Sequence, residues 1–270
     1  MRFGAREDVI ALTPLNPYER SADGRPKVPD AILERMKLVT LEEAWAVGKK
    51  HGYHFQFAGD WVNLHPERIM VGRALTATMA PMRPDLNDVV KNQGEKVEGR
   101  RGSQNNWVIQ SCGANDVVVV DLFGKIRDGT FVGDNLSSAV VGAGGAGIVI
   151  DGGIRDTQRI FEMQGINVFC RGFDPTPILD LTLISLNGPT RIGHATVLPG
   201  DVVLGTRAGI IFIPPHLAEE VVSESEKVRT RDQFGKQRLR ERKYASGQID
   251  VPNWEPAIEA DFQQWLKEKK

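Results

Sequence analysis

The chain has 270 residues, 34 Lys and Arg against 35 Asp and Glu, and 41% hydrophobic content. That length suits one sizeable domain with additions or two small ones, and a formal net charge of −1 excludes any general attraction to nucleic acid or to a membrane surface. No run of roughly eighteen apolar residues occurs and the first residues lack a signal-peptide core, so a cytoplasmic location is expected.

Residues 1 to 36 are polar and rich in turn formers (Pro14, Pro17, Gly24, Pro26, Pro29), which predicts an extended arm that packs on something else. Thr40 and Glu43 form a capping-box pattern opening a helix that runs to about Lys50. A strand is expected over 71–80, a helix within 86–93 and another around 107–112. The centre of the chain, 116 to 214, is apolar. Its runs at 117–120, 147–150 and 167–170 are short and separated by helical spans, as buried strands of an α/β core are. The later runs at 192–198, 201–204 and 209–213 lie close together with the Pro199-Gly200 turn between them, so a mixed sheet is expected. From 216 to about 242 the chain reads as a long charged helix, and 255–267 as another carrying Phe262 and Trp265. The organisation is therefore an N-terminal arm and helix (1–66), an α/β core (67–215) and a C-terminal helical tail (216–270).

Most of the chemistry is expected between residues 133 and 156. Gly133 and Asp134 precede a short helix over 135–142, with Asp134 or Asn135 as its N-cap. Gly142, Gly144, Gly145 and Gly147 break that helix, and 147–151 reads as a buried strand ending at Gly152-Gly153. A helix of about ten residues rises roughly 15 Å, and a strand of about five residues runs roughly 16 Å back. Asp134 and the pair Arg155-Asp156 are thus expected at one rim, beside backbone N–H groups suited to an anion. Two carboxylates and a guanidinium can hold a hard divalent cation and stabilise a developing oxyanion. Each aspartate also has a plain structural reading: Asp134 as the cap of its helix, and Asp156 as the cap of a helix starting at Thr157, with Arg155 bonding a nearby carbonyl or carboxylate.

Other chemistries find less support. Gly142, Gly144 and Gly147 satisfy GxGxxG but close a helix and open a strand, the reverse of a dinucleotide fingerprint. The five histidines show no HExxH spacing, His51 and His54 reading instead as helix-end cations, and no serine sits in a GxSxG elbow. Cys112 and Cys170 lack CxxC spacing and read as core or half-buried thiols, which excludes a disulfide framework and a structural zinc site.

An acidic residue, twenty intervening residues and then Arg-Asp, here Asp134, Arg155 and Asp156, resembles the signature of the family that holds the 4-hydroxy-4-methyl-2-oxoglutarate (4-carboxy-4-hydroxy-2-oxoadipate) aldolases and the RraA-like regulators of ribonuclease activity. Gly133, the Gly144-to-Gly147 turn, the run Val149-Ile-Asp-Gly-Gly-Ile-Arg-Asp156, Gly165-Ile-Asn-Val168 and Pro199-Gly-Asp201 extend the likeness over about 68–214. The resemblance implies a swivelling-domain α/β fold and a homotrimer or dimer of trimers with its site at a subunit boundary. It also implies a lyase dependent on Mg²⁺ (or Mn²⁺) that acts on a small 2-oxo acid. Carried over by position, Asp156 binds the metal, Arg155 contacts the pyruvyl oxygens, Asp134 holds a water, and Gly133 with the backbone N–H groups of Asn135 and Leu136 receives the substrate carboxylate. A pyruvate enolate would serve both an aldolase and an oxaloacetate decarboxylase. A non-catalytic ribonuclease regulator and a metal-dependent sugar-acid dehydratase are the alternatives. One departure stands out: Thr206-Arg207-Ala208 replaces the acidic turn that commonly follows the Pro-Gly-Asp segment.

Overall fold

Four short apolar runs build the centre of the molecule, because residues of alternating parity on each find a hydrophobic layer on opposite sides of one sheet. In the computed structural model, which describes residues 4–268, these runs are β1 (Met70–Pro81), β2 (Asp116–Asp121), β3 (Gly147–Asp151) and β4 (Asn167–Cys170). The first three residues of the arm and the last two of the tail lie outside the described range. The four strands pair in parallel in the order β1-β2-β3-β4. Val118 and Val120 face one apolar layer, Val117 and Val119 the other, and all four are fully buried. A run buried on both faces needs both covered, and in β2 valine fills all four positions from 117 to 120.

The sheet is mixed, as the spacing of the later runs predicts. β5 (Val202–Thr206) pairs antiparallel with β1, and β6 (Gly209–Ile213) antiparallel with β5. Two pairs of residues upstream of the core, Phe57–Ala58 and Val62–Asn63, add to β6 and β4 at opposite edges, and Leu181–Leu186 pairs with the outer half of β1. The run expected as one strand at 192–198 is a hairpin, Thr190–Ile192 against Ala195–Val197, turning at Gly193 in the left-handed region.

The N-terminal arm departs from its expected extended form. It contains helices Arg6–Leu12 and Asp30–Met36 and is tied to the core by charge. Arg25, almost wholly buried, reaches Asp116 at 2.9 Å and Asp23 at 2.7 Å, and the Arg73 guanidinium bonds Asp30. Residues 91 positions apart cannot signal such a bond in a local pattern. The helix Leu41–Lys50 opens with the expected capping box, Glu43 N–H to Thr40 Oγ1 at 3.2 Å and Thr40 N–H to Glu43 Oε2 at 2.9 Å.

Three helices matter below: α1 (Asp134–Gly142), α2 (Thr157–Phe161) and α3 (Ala218–Arg240). Ala218, Val221, Val222 and Ser225 of α3 recur at helical spacing and bury against the arm helices and β5–β6, whereas Phe234 packs with Trp254, Ile258, Phe262 and Trp265 in a separate aromatic cluster. Among the described residues, no helix is long and apolar enough to cross a membrane.

Candidate active site

The parallel strands carry the chain upward through β2, down through α1 and up again through β3, so the start of α1 and the residues after β3 share the carboxyl edge of the sheet. Open α/β sheets bind ligands at that edge. Thr130 bridges Gly153 in parallel, Phe131 N–H donates to Gly153 O at 3.0 Å, and Arg155 N–H donates to Val132 O at 3.1 Å. This short ladder lays 130–132 beside 153–155 and brings Gly133 against the Arg155-Asp156 pair.

Gly133 is the reason the pair fits. A Cβ at this position would overlap the Asp156 carboxylate and come 3.1 Å from Arg155 Nε. Arg155 Nε lies 3.4 Å from Asp156 Oδ2, and Asp156 has φ of 55°, a left-handed conformation uncommon for a non-glycine residue.

Neither capping alternative is realised. Helix α1 begins at Asp134 with Gly133 as N-cap, and no side chain caps it. Asp156 stands at the N-cap of α2 but makes no capping bond, so its carboxylate is turned toward Gly133 and Arg155. Asp134 Oδ1 accepts the N–H of Asn135 at 2.9 Å, and its Oδ2 accepts Arg159 Nη1 at 3.0 Å. That Asn135 N–H is therefore already engaged, and a ligand carboxylate would compete for it. The guanidinium of Arg159 holds the Asp134 carboxyl below its ordinary range.

These groups line an open cleft of about 570 Å³ that also includes Gln158, Phe173, Asp174 and Pro175. Asp174 and Arg159 are additions that the sequence reading did not name. The strand pair Gly153–Ile154 and Gly172–Phe173 runs parallel and in register, so Asp174 follows beside Arg155. A pairing of two residues leaves no periodic trace in a sequence. Arg159 had a readable clue, since it lies on the first turn of the helix that follows the Arg-Asp pair. Asp174 accepts bonds from the Thr176 hydroxyl and, at 2.9 Å, the Thr176 N–H, which hold its carboxyl low. Three carboxylates thus face two guanidiniums, leaving the cleft acidic.

An acidic cleft of this kind suits a cation only of a particular type. Among the described residues, no group of three or more His, Cys, Asp or Glu is arranged to enclose a metal ion. The donors fit a hard cation that keeps much of its water and is held through one or two carboxylates plus ligand oxygens, which is the habit of Mg²⁺. Cys170 is buried and Cys112 half-buried, as their spacing suggests, and burial pushes both thiols up to about 12.

Fold and site together define an α/β protein with a mixed sheet and an acidic, arginine-lined cleft at the carboxyl edge of its parallel strands. The profile of the RraA-like family (Aldolase/RraA) matches residues 39–212, and the chain belongs to that family. It is 28% identical over 162 residues, 59% of this chain and 75% of the relative, to a Halalkalibacterium halodurans protein provisionally named 4-hydroxy-4-methyl-2-oxoglutarate aldolase. It is also 28% identical over 107 residues, 40% of this chain and 64% of the relative, to the 4-hydroxy-4-methyl-2-oxoglutarate aldolase of Thermus thermophilus. Among solved structures, RraAS2 of Streptomyces coelicolor, described as an unusual member of the RNase ES inhibitor RraA family, has the same fold. It superposes with a TM-score of 0.64 at 24% identity, covering 82% of this chain and 99% of that one.

Proposed function

We propose that the chain is a divalent-metal-dependent lyase that breaks a C–C bond of a 2-oxo acid through a pyruvate enolate, as a 4-hydroxy-2-oxo diacid aldolase, an oxaloacetate decarboxylase or both. The observation that carries this reading is the convergence of Asp134, Arg155 and Asp156 around a glycine whose missing side chain makes the room. The aldolase names of two relatives support it.

Breaking the bond between C3 and C4 leaves its electron pair on the pyruvyl fragment, and the rate depends on stabilising that charge as it develops on the 2-oxo oxygen. Arg155 supplies a permanently charged planar fork for the carboxylate and oxo oxygens. Asp156 is the residue that would hold Mg²⁺ or Mn²⁺, which when bound supplies Lewis-acid polarisation of the oxo group. Asp134, kept ionised by Arg159, accepts a hydrogen bond from a water and orients it to return a proton to C3. Oxaloacetate releases CO₂ and needs no base at a C4 hydroxyl, so it makes the simplest demand on these residues. A homo-oligomer, trimeric or hexameric, would cover the exposed ring of Phe173 in the cleft.

Pyruvate release from oxaloacetate, coupled to NADH oxidation, tests the reading. Turnover that needs added Mg²⁺ or Mn²⁺, stops with EDTA and disappears in Asp156→Ala is the expected result. Turnover indifferent to EDTA would sink the metal role. No turnover from either oxaloacetate or a 4-hydroxy-2-oxo diacid, together with inhibition of a ribonuclease, would replace the enzyme with a regulator.

A further inference from the structure

A second cavity, of about 350 Å³, lies between the N-terminal arm and the segments around β5 and β6, and it shares no lining residue with the cleft. Leu12 and Leu15 of the arm and Leu198 give it an apolar wall, and Tyr53, His216 and Asp201 give it a polar one. Its volume falls in the range of small-molecule sites, which are mostly apolar with a few placed polar groups.

Asp201 is the anomaly. It is 3% exposed, and neither Lys nor Arg lines the cavity. Its Oδ2 accepts the N–H of Leu198 at 2.9 Å, a turn bond that requires an acceptor but no charge. Burial pushes the carboxyl up to about 7. The one basic side chain among the lining residues, His216, is held below its ordinary value by burial, and its Nε2 lies 3.3 Å from the Tyr53 hydroxyl. Buried carboxylates are ordinarily either paired or neutral; with neither Lys nor Arg lining the cavity, Asp201 is the group that an entering cation would hold in its charged form.

We propose that this cavity binds a small primary amine, its ammonium group paired with Asp201 and its apolar body lodged among Leu12, Leu15 and Leu198. The charge would also gain from the Tyr53 ring, since cations are attracted to aromatic faces.

Calorimetric titration of the full chain with benzylamine, and with benzyl alcohol as the uncharged match, tests this. Benzylamine is expected to bind at least about tenfold tighter than the alcohol, and Asp201→Asn, which keeps the acceptor for Leu198, is expected to erase that preference. Equal binding of the two probes, or benzylamine affinity unchanged in Asp201→Asn, overturns the proposal. So does an absence of benzylamine binding at about 10 mM, a concentration that reveals even millimolar sites. Should Asp201→Asn fail to fold, Leu15→Trp fills the cavity from its exposed side and is expected to block the amine, and undiminished binding there overturns the proposal equally. A change in oligomeric mass in Asp201→Asn with no amine binding to the parent chain would assign the carboxyl to a neighbouring subunit's lysine instead.

Discussion

The cleft and the cavity handle carboxylates in opposite ways. In the cleft, Asp134 and Asp156 stand beside Arg159 and Arg155, and the shifts resolved there are downward, by Arg159 for Asp134 and by the Thr176 bonds for Asp174. In the cavity, one carboxyl is almost wholly buried, has neither Lys nor Arg among the residues lining the cavity with it, and is pushed upward. Solvent and charge partners, more than the residue type, decide whether an aspartate is an anion at neutral pH. On the two proposals made above, the first arrangement would take a cation carrying its own water, and the second one that has shed it.

The largest effect that would break this contrast is expected at Asp156. Asp156→Ala should lower metal-dependent pyruvate release by about 10³-fold or more, measured as kcat/KM, with binding of benzylamine in the cavity untouched. Next comes the pH dependence of stability at Asp201. Its native pKa lies above that of the unfolded chain, so its contribution is fully present below about pH 4 and is lost as pH rises through about 7. Asp201→Asn should therefore gain on the parent chain by up to about 4 kcal/mol between those limits, read by urea denaturation across pH. Saturating benzylamine should shrink the gap from the parent's side.

Gly133→Ala tests the room made for Asp156. The added methyl must displace the carboxylate, and a fall in kcat/KM of about 10²-fold is expected, with little change in Tm if the backbone yields locally. The smallest effect is expected at Arg159, whose side chain is 78% exposed. Arg159→Gln removes the group that keeps Asp134 acidic, so the acid limb of the kcat/KM profile should move to higher pH while the rate at neutral pH changes only a few-fold, about 2- to 5-fold. An unmoved acid limb would separate Asp134 from the proton step.

Much of this arrangement was legible because it is local. The runs 117–120, 147–150 and 167–170 announced buried strands, and a helix and a strand of matched length returned Arg155 and Asp156 to Asp134. What escaped was long-range or very short. The buried bond from Arg25 to Asp116 that folds the arm onto the core joins residues 91 apart, and the turn formers around it read as open chain. The two-residue ladder that places Asp174 beside Arg155 is below any periodicity. The hairpin at 190–197 was missed because 192–198 reads as one strand, although Gly193 at its middle was a usable sign. Asp201 was visible only as part of a Pro-Gly-Asp turn; the cavity around it, lined by neither Lys nor Arg, is made by the folded arm.

Helix α3 has a consequence for how the molecule comes apart. One continuous rod is clamped at its start by the sheet layer and at its end by the Phe234 cluster, with a solvated stretch of charged side chains between the grips. Because helical hydrogen bonding is cooperative along a rod, loosening the far grip should fray α3 backward only as far as Glu226, which Arg35 of the arm holds by two hydrogen bonds. The aromatic cluster is therefore a detachable end-piece: melting it would shorten the molecule without opening the cleft.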